Sequence, residues 1–277
     1  EMKQRLLPKM VSGELIGAIA MSEPGAGSDL QGIRLAAKKN GNDYILNGTK
    51  TWISNGIKGN CLAVLTKTDP SASPPHRGMS LFICEKGDGF SVGKKLKKLG
   101  YRAIDSAELI FEDFRVSADN LVGGEEGKGF QQVAGGLELG RINIAARGAG
   151  MAQGATKMAL HYAMERKTFG KTIAEHQAIQ LKLAEMSTAI EASRLLVRKA
   201  AWEKDHGHNF SQIASQAKVF ASETAMKAST ECVQIFGGYG YIREYGVERL
   251  MRDAKITQIY EGTSEIQKMV IGRNLLK

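Results

Sequence analysis

The sequence predicts an α+β protein in which an antiparallel β domain is followed by an antiparallel helical bundle. Up to about residue 116 the apolar residues fall in short runs broken by turn residues. Beyond the glycine-rich stretch 123–129 they recur at steps of three and four, the spacing of one helix face. The length supports two such parts: 277 residues, 43% of them hydrophobic and 24% charged, suffice for one large globular domain or two ordinary ones.

The elements follow in order. Residues 33–39 alternate loosely, and Asn40-Gly41 is a hairpin signal, because a two-residue turn of that type needs positive φ at both positions. Residues 43–50 form the returning strand. Residues 61–66, 79–85 and 108–111 are further short strands. The stretch 69–78, with Pro70, Pro74 and Pro75, is a loop. Helices are expected over 141–166, 177–204 and 211–235, with Ile179, Leu183, Met186, Ile190 and Val197 on one face of the second. Ala145, Ala146, Gly148, Gly150, Ala152 and Gly154 let the first approach its neighbours closely. Near the end, Ser264 and Gln267 stand in the spacing of a capping box, so a helix starts there and Glu261 sits on a turn against its N-terminus.

Composition excludes some functions. No apolar run approaches the roughly 18 residues needed to span a bilayer. No targeting segment is visible, although the chain opens at Glu1 and not at Met. Cys61, Cys84 and Cys232 are odd in number and far apart, which suits a reducing compartment and offers no metal-ligand spacing. The net charge of +9 asks for a negative partner, and a phosphorylated cofactor answers it as well as a nucleic acid does. The densest basic cluster, Lys94, Lys95, Lys97, Lys98 and Arg102, has only Tyr101 as an interleaved aromatic, which argues against a stacking platform for single strands.

Five stretches could carry chemistry. Residues 20–29, Ala-Met-Ser-Glu-Pro-Gly-Ala-Gly-Ser-Asp, begin a G-x-G pattern but have Leu30 where the third glycine of a dinucleotide fingerprint would stand. They still offer amides and the Ser22 and Ser28 hydroxyls to a polar ligand. Trp52 and Ser54 lie two apart, so on a strand they share a side, where an aromatic surface and a hydroxyl suit a planar heterocycle. Arg166-Lys167-Thr168-Phe169-Gly170 with His176-Gln177 could clamp a diphosphate, and residues 234–241, Gln-Ile-Phe-Gly-Gly-Tyr-Gly-Tyr, expose backbone amides. Each also has a plainer reading: a tight turn, a core Trp, helix-end charge, a loop between helices. In residues 258–267, Gln-Ile-Tyr-Glu-Gly-Thr-Ser-Glu-Ile-Gln, Glu261 is a carboxylate that a turn can aim at a substrate, or one simply favoured near a helix N-terminus.

Together, and in this order, these motifs strongly resemble the acyl-CoA dehydrogenase family of flavoenzymes, over essentially the whole chain. The resemblance implies a β-barrel-like middle domain over 14–120 and a four-helix-bundle C-terminal domain over 121–277. Residues 1–13 would be the remnant of an all-helical N-terminal domain that is otherwise absent, so the chain is either a fragment or a naturally short product. The implied activity is FAD-dependent α,β-dehydrogenation of an acyl-CoA, with Glu261 as the base that takes the α-proton. Relatives that carry the base before the arginine of the first bundle helix have a glutamate where this chain has Gly140, before Arg141. By resemblance the flavin meets Met21, Ser22, Trp52 and Ser54, with Thr263 and Glu265 also touching the cofactor. Arg166, Phe169, Gln177, Gln234, Gly237 and Gly238 reach the FAD of a neighbouring subunit in a homo-oligomer, a dimer of dimers. Ser28, Glu138, Arg141, Gly262 and Arg273 contact the substrate. An electron-transfer flavoprotein takes the electrons, in the bacterial cytoplasm or the mitochondrial matrix, and no metal or membrane is involved. An oxidase reoxidised by oxygen is the same-fold alternative. A nucleic-acid-binding protein on this fold has only the net charge in its favour, and Glu261 in its motif argues against it.

Overall fold

The computed structural model describes residues 1–276, which divide into two compact units, 1–98 with 102–135 and 99–101 with 136–276. Each is described by itself.

The first unit opens with helix α1 (Met2–Ser12) and is otherwise built on one sheet of seven strands: β1 (Gly17–Ala20), β2 (Ala36–Asn40), β3 (Asp43–Ser54), β4 (Cys61–Lys67), β5 (Met79–Glu85), β6 (Phe90–Lys95) and β7 (Ser106–Ser117). The order is β1-β4-β2-β3-β7-β6, with β5 on the other side of β4. Tyr44, Leu46, Ile53, Leu62, Phe82 and Leu109 are among the residues of its apolar core. The β2–β3 hairpin turns one residue later than the sequence suggests. Asn40 pairs with Asp43, so the turn is Gly41-Asn42, and only Gly41 has positive φ, at 62°. Glycine at the first central position is what a type II′ turn requires.

The sheet is mixed and not wholly antiparallel. β1 and β2 both lie parallel to β4 on the same edge: β1 pairs with Cys61 to Val64, and β2 with Lys67. Parallel neighbours need a long connection. Here residues 21–35 leave the edge of β4 and rejoin it one strand later, and this excursion is the Ser-Glu-Pro-Gly motif.

A buried ion pair anchors the excursion. Lys50 is fully buried on β3, and its ammonium donates to the Met21 carbonyl and to Glu23, each at 2.9 Å. The Glu23 carboxylate also accepts the amides of Arg34 at 2.7 Å and Leu35 at 3.0 Å. Every charge is therefore met, as burial demands. Burial pulls the Lys50 ammonium down to about 8, against the opposing pull of Glu23.

The second unit takes over along helix α2 (Gly129–Glu165), which begins twelve residues before the expected position 141. A small hairpin follows, β8 (Lys167–Thr168) and β9 (Lys171–Thr172). Then come α3 (Gln177–Asp205), α4 (Ser211–Phe236), α5 (Gly238–Tyr241), α6 (Val247–Ala254) and α7 (Ser264–Leu275). The expected starts at 177 and 211 are those observed. Small residues line the α2–α4 seam: Ala145, Ala217 and Ala221 have no exposed surface. A Cβ on Gly148 would stand 2.9 Å from the Ala221 carbonyl. None of the helices among the described residues is long and apolar enough to cross a membrane.

Removing one member of the buried pair should strand the other. Lys50→Met is expected to cost roughly 3–5 kcal/mol of stability. Lys50→Met combined with Glu23→Gln should recover most of that loss. Urea unfolding of the full chain checks both, and equal stability of the two variants would contradict the pairing.

Candidate active site

The helical unit gathers one charged cluster around Glu261. The residue stands on the turn before α7 with φ 56°, and Gly262 follows at φ 86°. Glutamate rarely adopts this left-handed conformation, so the turn must be held by its surroundings. Three elements supply them. α2 contributes Glu138, Gly140 and Arg141. α4 contributes Lys218, whose ammonium donates to the Gly262 carbonyl at 2.8 Å. α7 contributes Gln267, which donates to the Glu261 carbonyl at 3.2 Å and to that of Gly262 at 3.4 Å. Glycine is needed at 262 for a second reason: a Cβ there would lie 2.3 Å from the Gln267 amide nitrogen.

The capping assignment differs from the one the spacing predicts. The N-cap of α7 is Thr263, whose hydroxyl accepts from the Ile266 amide, and not Ser264. The Thr263 cap leaves Gln267 free to reach back to the turn.

The carboxylate itself is unpaired. Glu261 Oε2 is shielded from solvent and has no hydrogen-bond partner, and the same holds for Arg141 Nε, Ser264 Oγ and Gln267 Oε1. Four buried polar atoms without partners in one cluster are the signature of a place where a polar ligand completes the bonding. Gly140 leaves room for the carboxylate, since a Cβ there would stand 2.5 Å from Glu261 Oε2. Burial raises Glu261 above the ordinary carboxyl range, while the cations Arg141, Lys218 and Arg147 oppose that rise. Burial lowers Arg141, and Glu138 and Glu261 oppose the fall. Lys218 is fully buried, which brings it down to about 8 despite Glu261 nearby. Arg147 donates to Tyr101 Oη at 2.8 Å and to Tyr260 Oη at 3.4 Å, so the residue before Glu261 is also fixed.

A second feature of the same unit is a cleft of about 540 Å³ lined by Tyr162, Arg166, Thr168, Phe236, Gly237 and Gly238, among others. Tyr162 stacks on Phe236, with ring centres 4.0 Å apart, and the Arg166 guanidinium lies over the Tyr239 ring at 5.5 Å. Gln234 is exposed two residues before α4 ends, and Gln177 is exposed at the start of α3. Phe169 is 96% exposed at the tip of the β8–β9 hairpin with φ 52°.

In the β unit, Trp52 and Ser54 share the exposed side of β3 as their spacing predicts. Trp52 is 66% exposed and has φ 63°, because β3 bulges against β7 between Lys50 and Ile53. The Ser22 hydroxyl is spent on the Thr51 carbonyl at 2.7 Å, and the Thr51 amide donates to the Ser22 carbonyl at 2.9 Å. Ser22 and Met21 are thereby fastened to the strand that carries Trp52. Ser28 is exposed beyond the Glu23–Ala26 turn. Glu265 and Arg273 are exposed at the two ends of α7.

Sequence reasoning missed Lys218. Its signal was present: Ala214, Ala217, Ala221, Ala225 and Ala228 mark the inward face of α4, and Lys218 falls on that face. A lysine on an alanine stripe faces the interior and needs a partner there. Cys61, Cys84 and Cys232 are free and buried, and no cluster of metal-binding side chains occurs among the described residues.

The chain is similar to known proteins over nearly its whole length. Residues 18–114 match the family model described as acyl-CoA dehydrogenase, middle domain, and residues 127–276 match acyl-CoA dehydrogenase, C-terminal domain. The cyclohex-1-ene-1-carbonyl-CoA dehydrogenase of Syntrophus aciditrophicus is 47% identical over 99% of this chain and 66% of its own length. The solved butyryl-CoA dehydrogenase of Megasphaera elsdenii is 46% identical with a TM-score of 0.96, covering 99% of this chain and 72% of its own. A chain from the structure described as the electron transferring flavoprotein of Acidaminococcus fermentans is 45% identical, also with a TM-score of 0.96, covering 99% and 72%. The chain thus spans about two thirds of the first relative and somewhat more of the two structures.

Folding raises the proton affinity of Glu261, so the native state keeps that proton to higher pH than the unfolded chain. The group's stabilising contribution is complete below the ordinary carboxyl range and is lost as pH rises through its raised value. Glu261→Gln should therefore unfold no lower than the parent at pH 7, with the difference narrowing toward pH 4. Thermal unfolding at both pH values checks this, and a clear drop in Tm at pH 7 would contradict it.

Proposed function

The chain belongs to the acyl-CoA dehydrogenase family, and from that premise we propose that Glu261 is the base that removes the α-proton of an acyl-CoA thioester. Members of the family are FAD flavoproteins and oxidoreductases. The observation that carries the reading is the unpaired, buried Oε2 of Glu261 on a turn braced by Lys218 and Gln267. A proton next to a thioester is weakly acidic. Its removal needs a base that water does not solvate and a donor for the oxygen that gains charge. Burial supplies the first, as the raised Glu261 carboxyl reflects. The Glu261 amide, which donates to no backbone carbonyl among the described residues, is a candidate for the second.

The residues present suit FAD. A largely exposed indole at Trp52, with Ser54 on the same side of the strand, offers a flat surface and a hydroxyl, and Met21 and Ser22 are fastened beside them. Thr263 and Glu265 are the further cofactor contacts proposed on the α7 side. Arg166, Gly237 and Gly238 line a cleft sized for part of a phosphorylated group, with Phe169, Gln177 and Gln234 exposed near it in the chain. We assign this second set to the FAD of a neighbouring copy in a homo-oligomer. Bound FAD supplies the acceptor for the β-hydride. Ser28, Glu138, Arg141, Gly262 and Arg273 are assigned to the acyl-CoA, and its phosphates give the cations a use. An electron-transfer flavoprotein is the proposed acceptor of the electrons.

Anaerobic addition of butyryl- to octanoyl-CoA to the full-length protein should bleach its flavin. Glu261→Gln should keep FAD and thioester binding while flavin reduction slows about 10²–10⁴-fold. Reduction at the parent rate would place the base elsewhere. Gly140→Ala puts a methyl group against the carboxylate and should slow reduction with the fold intact, as rapid-mixing absorbance and circular dichroism would show.

A further inference from the structure

Helix α4 faces the segment before α7 with two polar side chains one turn apart. Ser222 donates to the Thr257 carbonyl at 2.9 Å, and Lys218 donates to the Gly262 carbonyl at 2.8 Å. These bonds bracket the stretch that holds Tyr260 and Glu261. Both donors are fully buried. A serine is an inexpensive way to satisfy a buried carbonyl. A lysine is not, because its ammonium must leave water, and burial brings it down to about 8. Asparagine or glutamine could hold a carbonyl without that penalty. The charge at 218 therefore calls for a reason beyond the hydrogen bond.

That reason is what the charge faces. Glu261 is the acid whose field acts most strongly on Lys218; Glu265 on α7 and Glu223 on α4 add to it, and Arg141 on α2 opposes it. In return, Lys218 is one of three cations that hold the buried Glu261 carboxyl down, with Arg141 and Arg147. No ion pair joins Lys218 to Glu261 among the described residues, so the carboxylate feels the charge without being bonded to it. A base paired directly to an ammonium would be a weak base. One that feels the charge while the ammonium is bonded to the Gly262 carbonyl keeps its lone pairs free.

We propose that Lys218 is a positioning residue for Glu261: its buried ammonium fixes the peptide planes of the Glu261–Gly262 turn and supplies a nearby positive charge that stabilises the carboxylate without bonding to it. The proposal rests on the assignment of Glu261 as the base. Gln267 shares the first task, because it donates to both carbonyls of the turn, but not the second, because it is neutral. The two residues therefore separate orientation from charge.

The test reads proton removal alone. 3,3-Dimethylbutanoyl-CoA has α-hydrogens but no β-hydrogen, so the FAD-loaded full-length protein can exchange its α-protons with D2O without transferring hydride. Mass spectrometry follows the exchange as a function of pH. Lys218→Met should slow it about 10²-fold and move its acid limb to higher pH, because Glu261 has lost a cation. Lys218→Arg should keep the limb in place and recover most of the rate. Gln267→Met should slow exchange with the limb unmoved. A Lys218→Met profile with an unmoved limb, at any rate, overturns the proposal. Should that variant not fold, Lys218→Arg decides: a limb that moves although the charge is kept also overturns it. Exchange that survives Glu261→Gln sinks the assignment of the base instead, whatever Lys218 does.

Discussion

A carboxylate oxygen shielded from water without a hydrogen-bond partner is the constraint on which the helical unit depends. Such a group is expensive to bury, and its backbone conformation adds strain. Neither cost is met locally. α2 gives Arg141 and the space at Gly140, α4 gives Lys218, and α7 gives Gln267. Three helices far apart in sequence converge on one turn, and the carboxylate stays unpaired only because all three hold their places.

The β unit treats its buried carboxylate in the opposite way. Glu23 is saturated: two amides and one ammonium meet it. The result fastens a fifteen-residue excursion to the sheet at one point and leaves the carboxylate no capacity for chemistry. The contrast is a physical criterion for telling a structural acid from a reactive one. Glu23 is buried and Glu261 half-buried, and both have a buried lysine near them. What separates them is whether the lysine bonds to the carboxylate, as Lys50 does, or to the backbone behind it, as Lys218 does.

Much of the fold was legible in the sequence because periodicity and turn chemistry are local. The starts of α3 and α4 and the whole of β5 fall where apolar spacing puts them. The hairpin turn was displaced by one residue, because Asn-Gly and Gly-Asn are both good turn pairs and only cross-strand pairing chooses between them. The parallel pairing of β1 and β2 with β4 could not be read, since no local signal says which edge a strand returns to. The start of α7 was legible but its cap was not: Thr263 and Ser264 are both capping residues, and the role of Gln267 depends on which one caps. Glu261 was visible as a carboxylate on a turn. Its isolation was not visible, because that is decided by Lys218 and Gly140, 43 and 121 positions away in the chain.

The small-residue seam between α2 and α4 has a further consequence. Alanines recur on both helices at similar steps, and Gly148 lets the backbones nearly touch. A ladder of near-identical rungs binds two helices closely but does not number them, since sliding one helix by a turn sets alanine against alanine again. The numbering must come from residues that are not interchangeable. On α4 these are Lys218 and Ser222, which bond the Gly262 and Thr257 carbonyls and so set the helix against the segment before α7. Slipped by a turn, α4 would take the buried ammonium away from the Gly262 carbonyl. The groups that orient the turn therefore also act as the register marks of the bundle.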